Sequence, residues 1–82
     1  MKHVVAFDVS KGKSTMTVYD RYKNCEFEGE LEHTRTSFVK LQERLTELTR
    51  LDGQAPEIVF EATGVYSKSL EKFLRDNGYQ YS

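Results

Sequence analysis

Apolar and polar residues alternate along this chain in two rhythms, and the points where the rhythm changes mark its elements. From His3 to Val9 nearly every residue is apolar and β-prone. Val4 and Ala6 fall on one face and Val5, Phe7 and Val9 on the other, which predicts a central strand covered on both sides. Ser10-Lys11-Gly12-Lys13 reads as a turn, and Ser14 to Asp20 as a second strand rich in Thr, Val and Tyr. The short interval makes the two a hairpin. After a turn at Arg21–Lys23, Cys25, Phe27, Gly29 and Leu31 alternate with Glu26, Glu28, Glu30 and Glu32. Strict period two predicts a third strand with one buried face, on which Cys25 is a small core residue. The row of glutamates places that strand at a sheet edge, since like charges discourage pairing with another edge.

The rhythm then becomes helical. Phe38, Leu41, Leu45 and Leu48 form an apolar stripe on a helix capped by Thr34 or Thr36 and running to about Leu51. Asp52-Gly53 ends it, with Gly53 as a left-handed cap. Glu57-Ile58-Val59-Phe60-Glu61 is a second two-faced apolar run, parallel to the first strand if the helix is a crossover. Thr63 is the natural N-cap of a second helix from about Gly64 to Asn77. Tyr66, Leu70, Phe73 and Leu74 form its inner face, and Glu71 with Arg75 an i,i+4 pair. Gly78 closes this helix, and Tyr79 to Ser82 reads as the opening of a further strand. The order β-β-β-α-β-α-(β) is an α/β class: a mixed sheet with helices on its faces. No internal repeat occurs, and 82 residues permit one domain or a piece of one.

Composition narrows the function classes. With 38% hydrophobic and 30% charged residues the chain is globular in type, not a disordered tail. Its net charge is -1 and its pI about 6.1, so any nucleic-acid contact must be local or come from elsewhere in a larger protein. Cys25 is the single cysteine, which rules out an internal disulfide and fits a reducing cytoplasm. No run is long enough for a signal peptide or a membrane span, so no membrane partner is expected.

Two acids stand where chemistry is expected. Asp8 closes the first strand and Glu61 the fourth, and open α/β sheets bind ligands outside the carboxyl ends of their strands. If the two strands are neighbours, the carboxylates share a few ångströms of space, and a divalent cation would relieve their repulsion. Mg²⁺ favours hard oxygen ligands, and a pair of such ions can stabilise the attacking and leaving oxygens of a phosphodiester reaction. The plainer alternatives are a turn residue bonding the Ser10–Gly12 backbone, for Asp8, and a helix-start acid favoured by the dipole, for Glu61.

Ala6-Phe7-Asp8-Val9-Ser10-Lys11, followed by a β-prone strand, resembles the opening of RNase H-like transposases of the insertion sequence 110 family. Glu61-Ala62-Thr63-Gly64, with Tyr66 after one residue, is similar to the family's second motif, and Leu70, Phe73, Leu74 and Gly78 fit its continuation. The second motif is the more specific, and the resemblance spans essentially the whole chain. It implies a partial RNase H-like fold related to RuvC resolvases, with a truncated fifth strand, and a catalytic set of four acids, Asp-Glu-Asp-Asp. Asp8 would be the first and Glu61 the second, holding Mg²⁺ or Mn²⁺. It further implies a recombinase that cuts and rejoins DNA with a nucleophilic serine in a separate C-terminal domain and a guide RNA. The remaining acids and that serine would lie beyond Ser82, so the 82-residue chain alone is expected to be inactive.

Ser10, Lys11 and Lys13 could touch a phosphate or the scissile strand, or be an ordinary solvated turn. Thr63 and Gly64 could offer helix N-terminal amides to a phosphate, or simply cap the helix. Tyr66 could stack on nucleic acid, or pack in the core. His3 and His33 have no ligand partner at a telling spacing and read as structural or exposed. Gly12-Lys13-Ser14-Thr15 imitates the end of a Walker A loop, but Phe7 stands where that motif needs its first glycine, and a strand follows instead of a helix. Competing readings are an actin-like or sugar-kinase-like ATPase half-domain, a RuvC-like junction resolvase, and a non-catalytic interaction module. With the fifth strand cut short, the edge of the Glu57–Glu61 strand is apolar and open, which predicts a homo-oligomer formed by pairing or swapping through that edge or the Tyr79–Ser82 tail.

Overall fold

A computed structural model describes residues 2–62 and 67–81. Four strands and two helices follow one another as β1 (Val4–Ser10), β2 (Lys13–Tyr19), β3 (Cys25–Glu32), α1 (Arg35–Asp52), β4 (Glu57–Ala62) and α2 (Lys68–Asp76). The sheet order is β3-β2-β1-β4, with β1 antiparallel to β2, β2 antiparallel to β3, and β1 parallel to β4. The expected mixed sheet is therefore present, and the expected edge strand, β3, is at an edge. Tyr81 makes an isolated parallel bridge to Ile58, on the outer side of β4, where a fifth strand would begin.

Local chemistry explains each joint. Ser10 pairs with Lys13, leaving Lys11-Gly12 as a two-residue turn, and Gly12 supplies the positive φ of +72° that such a turn requires. Between β2 and β3 the Asp20 carboxylate accepts from the backbone N–H groups of Tyr22 and Asn24, at 2.8 and 3.0 Å. The Thr34 hydroxyl accepts from the Ser37 N–H to cap α1, and Gly53, at φ +72°, closes it. At the far end of α2 the Tyr79 N–H returns to the Leu74 carbonyl at 2.8 Å, across Gly78 with its positive φ.

Both helices lie on one face of the sheet. Leu41, Leu45 and Leu48 of α1 and Leu70 and Leu74 of α2 join Val5, Phe7, Val9, Met16, Val18, Leu31 and Ile58 in a single core. Phe38 of α1 stacks on Phe73 of α2 with ring centroids 5.1 Å apart. The expectation of a first strand covered on both sides is corrected by this packing. Val5, Phe7 and Val9 are buried, Val4 and Ala6 are half-buried, and Asp8 and Ser10 are exposed. The second face of β1 is thus apolar at its start and polar at its end, and among the described residues no helix lies over it.

Two smaller expectations are also corrected, and a third falls outside the described residues. Cys25 is exposed, not in the core. It sits at the register shift opposite Tyr19, at the start of β3, and its thiol donates to the Phe27 carbonyl at 3.6 Å. The α-helical part of α2 starts at Lys68 with Ser67 before it, and the N-cap expected at Thr63 lies outside the described residues. The i,i+4 ion pair of α2 is Lys72–Asp76, while Glu71 accepts from the Ser67 hydroxyl at 2.6 Å.

Candidate functional site

The crossover through α1 returns β4 beside β1, and the register sets Asp8 opposite Glu61. Adjacent strands lie about 4.8 Å apart, and side chains at paired positions of a parallel ladder point to the same face. Both residues are exposed, and both stand on the face that carries no helix. Register extends the row: Asp8 faces Thr15 on β2, and Thr15 faces Glu30 on β3. Glu30–Thr15–Asp8–Glu61 thus crosses all four strands in one line. Thr15 was not singled out by motif, yet counting back from the two-residue turn places it opposite Asp8.

Asp8 and Glu61 take no part in any of the five ion pairs of the described residues. As hard oxygen donors on neighbouring strands they fit a divalent cation in type and in spacing. They fall short in number: among the described residues no group of three or more His, Cys, Asp or Glu side chains is placed to hold an ion.

The flanking residues divide. The Ser10 hydroxyl donates to the Lys13 carbonyl at 3.4 Å, which is turn chemistry. The Lys13 ammonium lies 3.5 Å from Glu30, both side chains more than half exposed, so it partly neutralises the acid row. Lys11 is exposed at the turn. Thr63, Gly64 and Tyr66 lie outside the described residues.

His33 is half-buried behind the hairpin, its Nε2 2.6 Å from the Ser14 hydroxyl, and burial lowers its pKa below the ordinary 6.5. His3 is buried at the other end of β1. Its Nδ1 lies 2.6 Å from Asp52 Oδ2, and its Nε2 2.5 Å from Glu26 Oε1. The bond to Asp52 raises the His3 pKa above 6.5, against the opposing effect of burial. Nothing in the local sequence announces this cluster, because its three members lie far apart in the chain. A groove of about 720 Å³ between β3 and α1, lined by Phe27, Leu31, Leu41 and Arg44 among others, contains neither Asp8 nor Glu61.

A sequence profile of the insertion sequence 110 DEDD family, described as transposase, matches residues 5–82. The chain belongs to this transposase family. Among solved structures, RuvC of T. thermophilus in complex with a Holliday junction substrate is similar, with a TM-score of 0.59 at 8% identity over 99% of this chain and 62% of that one. The transposase chain thus spans less than two thirds of that relative. Argonaute of Marinitoga piezophila, in complex with a 5′ OH guide RNA, is similar with a TM-score of 0.54 at 11% identity, over 98% of this chain and 15% of that one. Comparison with curated protein sequences finds no match. The fold of the transposase chain is a partial RNase H-like fold, as the resemblance implied. No helix among its described residues is long and apolar enough to cross a membrane.

Proposed function

We propose that this chain contributes Asp8 and Glu61 as two metal-holding carboxylates to a DNA transposase that cuts and rejoins strands in the cytoplasm. The observation that carries the reading is the register of β1 and β4, which sets the two acids side by side on the open face. Membership of the transposase family supports the reaction class. A bound Mg²⁺ or Mn²⁺ would stabilise negative charge developing on the phosphoryl oxygens. The protein's own contribution is to hold two carboxylates on rigid neighbouring strands, on a face that a DNA strand can reach. Lys11 at the hairpin turn is placed to neutralise a phosphate, whereas Lys13 is shared with Glu30. The family implies two further acids, a serine nucleophile and a guide RNA, and with Asp8 and Glu61 as its two acids this chain by itself is proposed to be inactive. Self-association through the outer edge of β4 completes the proposal.

The test is Mn²⁺-induced broadening of amide NMR signals beside an Asp8→Ala/Glu61→Ala variant. Broadening centred on Asp8 and Glu61, and lost in the variant, is the expected result. Broadening that is absent, or that survives in the variant, would overturn the assignment.

A further inference from the structure

We propose that His33 is a positioning residue for the Asp8–Glu61 site, fastening the hairpin that follows Asp8 to the helix that follows Glu61. The inference rests on the reading of those two acids as a metal-holding pair.

Four contacts carry it, each to a different part of the fold. The His33 backbone N–H donates to the Gly12 carbonyl at 3.0 Å and so holds the hairpin turn. Nε2 lies 2.6 Å from the hydroxyl of Ser14, which is 1% exposed and pairs with Val9 across the hairpin. Nδ1 lies 3.4 Å from the hydroxyl of Ser69, in the first turn of α2. The ring also rests against Phe38 of α1, with centroids 5.9 Å apart. One residue in the β3–α1 connection therefore touches the turn after Asp8, the strand after that turn, α1, and the helix after Glu61.

Imidazole suits the position. A neutral ring offers one donor and one acceptor, and a serine hydroxyl can serve as either. Both ring nitrogens can thus be satisfied at once in either tautomer. Burial favours the neutral form. Phenylalanine would keep the contact with Phe38 but lose both hydroxyls. Glutamine would keep one polar group directed at Ser14. Lys68, next to Ser69, is exposed, as is Lys11 at the hairpin turn.

The experiment uses the same Mn²⁺ titration on His33→Phe, His33→Gln and Ser69→Ala. Supports of metal ligands cost about tenfold in affinity or more when removed. The expected result is about a tenfold weaker Mn²⁺ affinity in His33→Phe, with partial recovery in His33→Gln. In Ser69→Ala, an exposed substitution that leaves the fold intact, the amide signals of Lys11–Lys13 should shift although the change lies on α2. Wild-type Mn²⁺ affinity retained in both His33→Phe and Ser69→Ala would overturn the proposal. Wild-type protein without localised broadening overturns the metal reading instead. In that event unmoved Lys11–Lys13 signals in Ser69→Ala overturn the fastening too, and moved signals support it.

Discussion

Strand β1 carries a charged cluster at each end, and the two are built in opposite ways. At its amino end His3, 5% exposed, sits between the carboxylates of Asp52 and Glu26. At its carboxyl end Asp8 and Glu61 stand side by side and exposed, in no ion pair of the described residues. Five residues, about 17 Å at 3.3–3.4 Å each, separate the two. Each end gathers two acids. One supplies its own basic group from within, an imidazole whose pKa the Asp52 bond raises, and buries it. The other leaves the cation to be supplied from outside, and stays open. A carboxylate pair closed over an internal basic group holds the fold together, whereas a pair left open repels, and a bound ion would relieve that repulsion. That contrast makes the carboxyl end a functional candidate and the amino end a structural one.

The contrast breaks most visibly in activity. If Asp8 and Glu61 hold the metal as proposed, Asp8→Ala or Glu61→Ala in a transposase carrying these residues should lower DNA cleavage by about a thousandfold, equivalent to about 4 kcal/mol at about 1.4 kcal/mol per tenfold. Thermal unfolding of the same variants should move little, since surface substitutions usually stay within about 0.5 kcal/mol. Retained cleavage in either variant would remove these residues from the site.

The amino end should respond in the opposite sense. His3→Ala leaves the Asp52 carboxylate buried with its cation gone, and Oδ1 of that residue already lacks a partner. Breaking a buried pair from one side costs about 3 kcal/mol or more. Denaturant unfolding should show that loss, a large share of the stability of a domain this small. At a temperature where the variant remains folded, Mn²⁺ broadening at Asp8 and Glu61 should persist. A His3→Ala protein as stable as wild type would show that the cluster contributes nothing.

How much of this was legible beforehand follows the range of the interactions. The helix stripe of Leu41, Leu45 and Leu48, the left-handed cap at Gly53, the close of the second helix at Gly78, and the glutamate-lined edge strand are local patterns, and the fold bears them out. So is the placing of Asp8 and Glu61 at strand ends, although their adjacency required the crossover to land beside β1. Motif resemblance supplied the family. What was missed is non-local. No spacing rule links His3 to Asp52 and Glu26, or His33 to Ser14 and Ser69, because those pairs exist only once the strands and helices have come together. Cys25 failed as a core residue because alternation predicts a face, not how far the covering helix reaches.

The two histidines give the contrast a pH signature. The His3 pKa lies above 6.5, so its stabilisation is fully present below 6.5 and is lost as pH rises through the raised value. The His33 pKa lies below 6.5, so its contribution is present above 6.5 and is lost as pH falls through the lowered value. Stability should therefore peak near 6.5 and fall on both sides. His3→Gln should flatten the alkaline side and His33→Gln the acidic side, as read by denaturant midpoints across the pH range. A profile that stays unchanged in both variants would detach these shifts from folding.

The smallest expected effect is the sharpest discriminator between the two ends. Glu26 is the exposed partner of His3, its side chain 46% accessible, so water competes for that bond. Glu26→Gln should cost no more than about 1 kcal/mol. Millimolar Mg²⁺ should produce a change of similar size and opposite sign through the other end. A weak two-carboxylate site at a ligand concentration near its dissociation constant stabilises by only about 0.4 kcal/mol. The two effects should be separable by substitution. Glu26→Gln leaves the Mg²⁺ response intact, because nothing at the amino end binds the ion. Asp8→Ala abolishes the response while leaving baseline stability near wild type. If Glu26→Gln also abolished the Mg²⁺ response, the ion would be acting on the glutamate edge of β3, and the division of the strand into a closed end and an open end would fail.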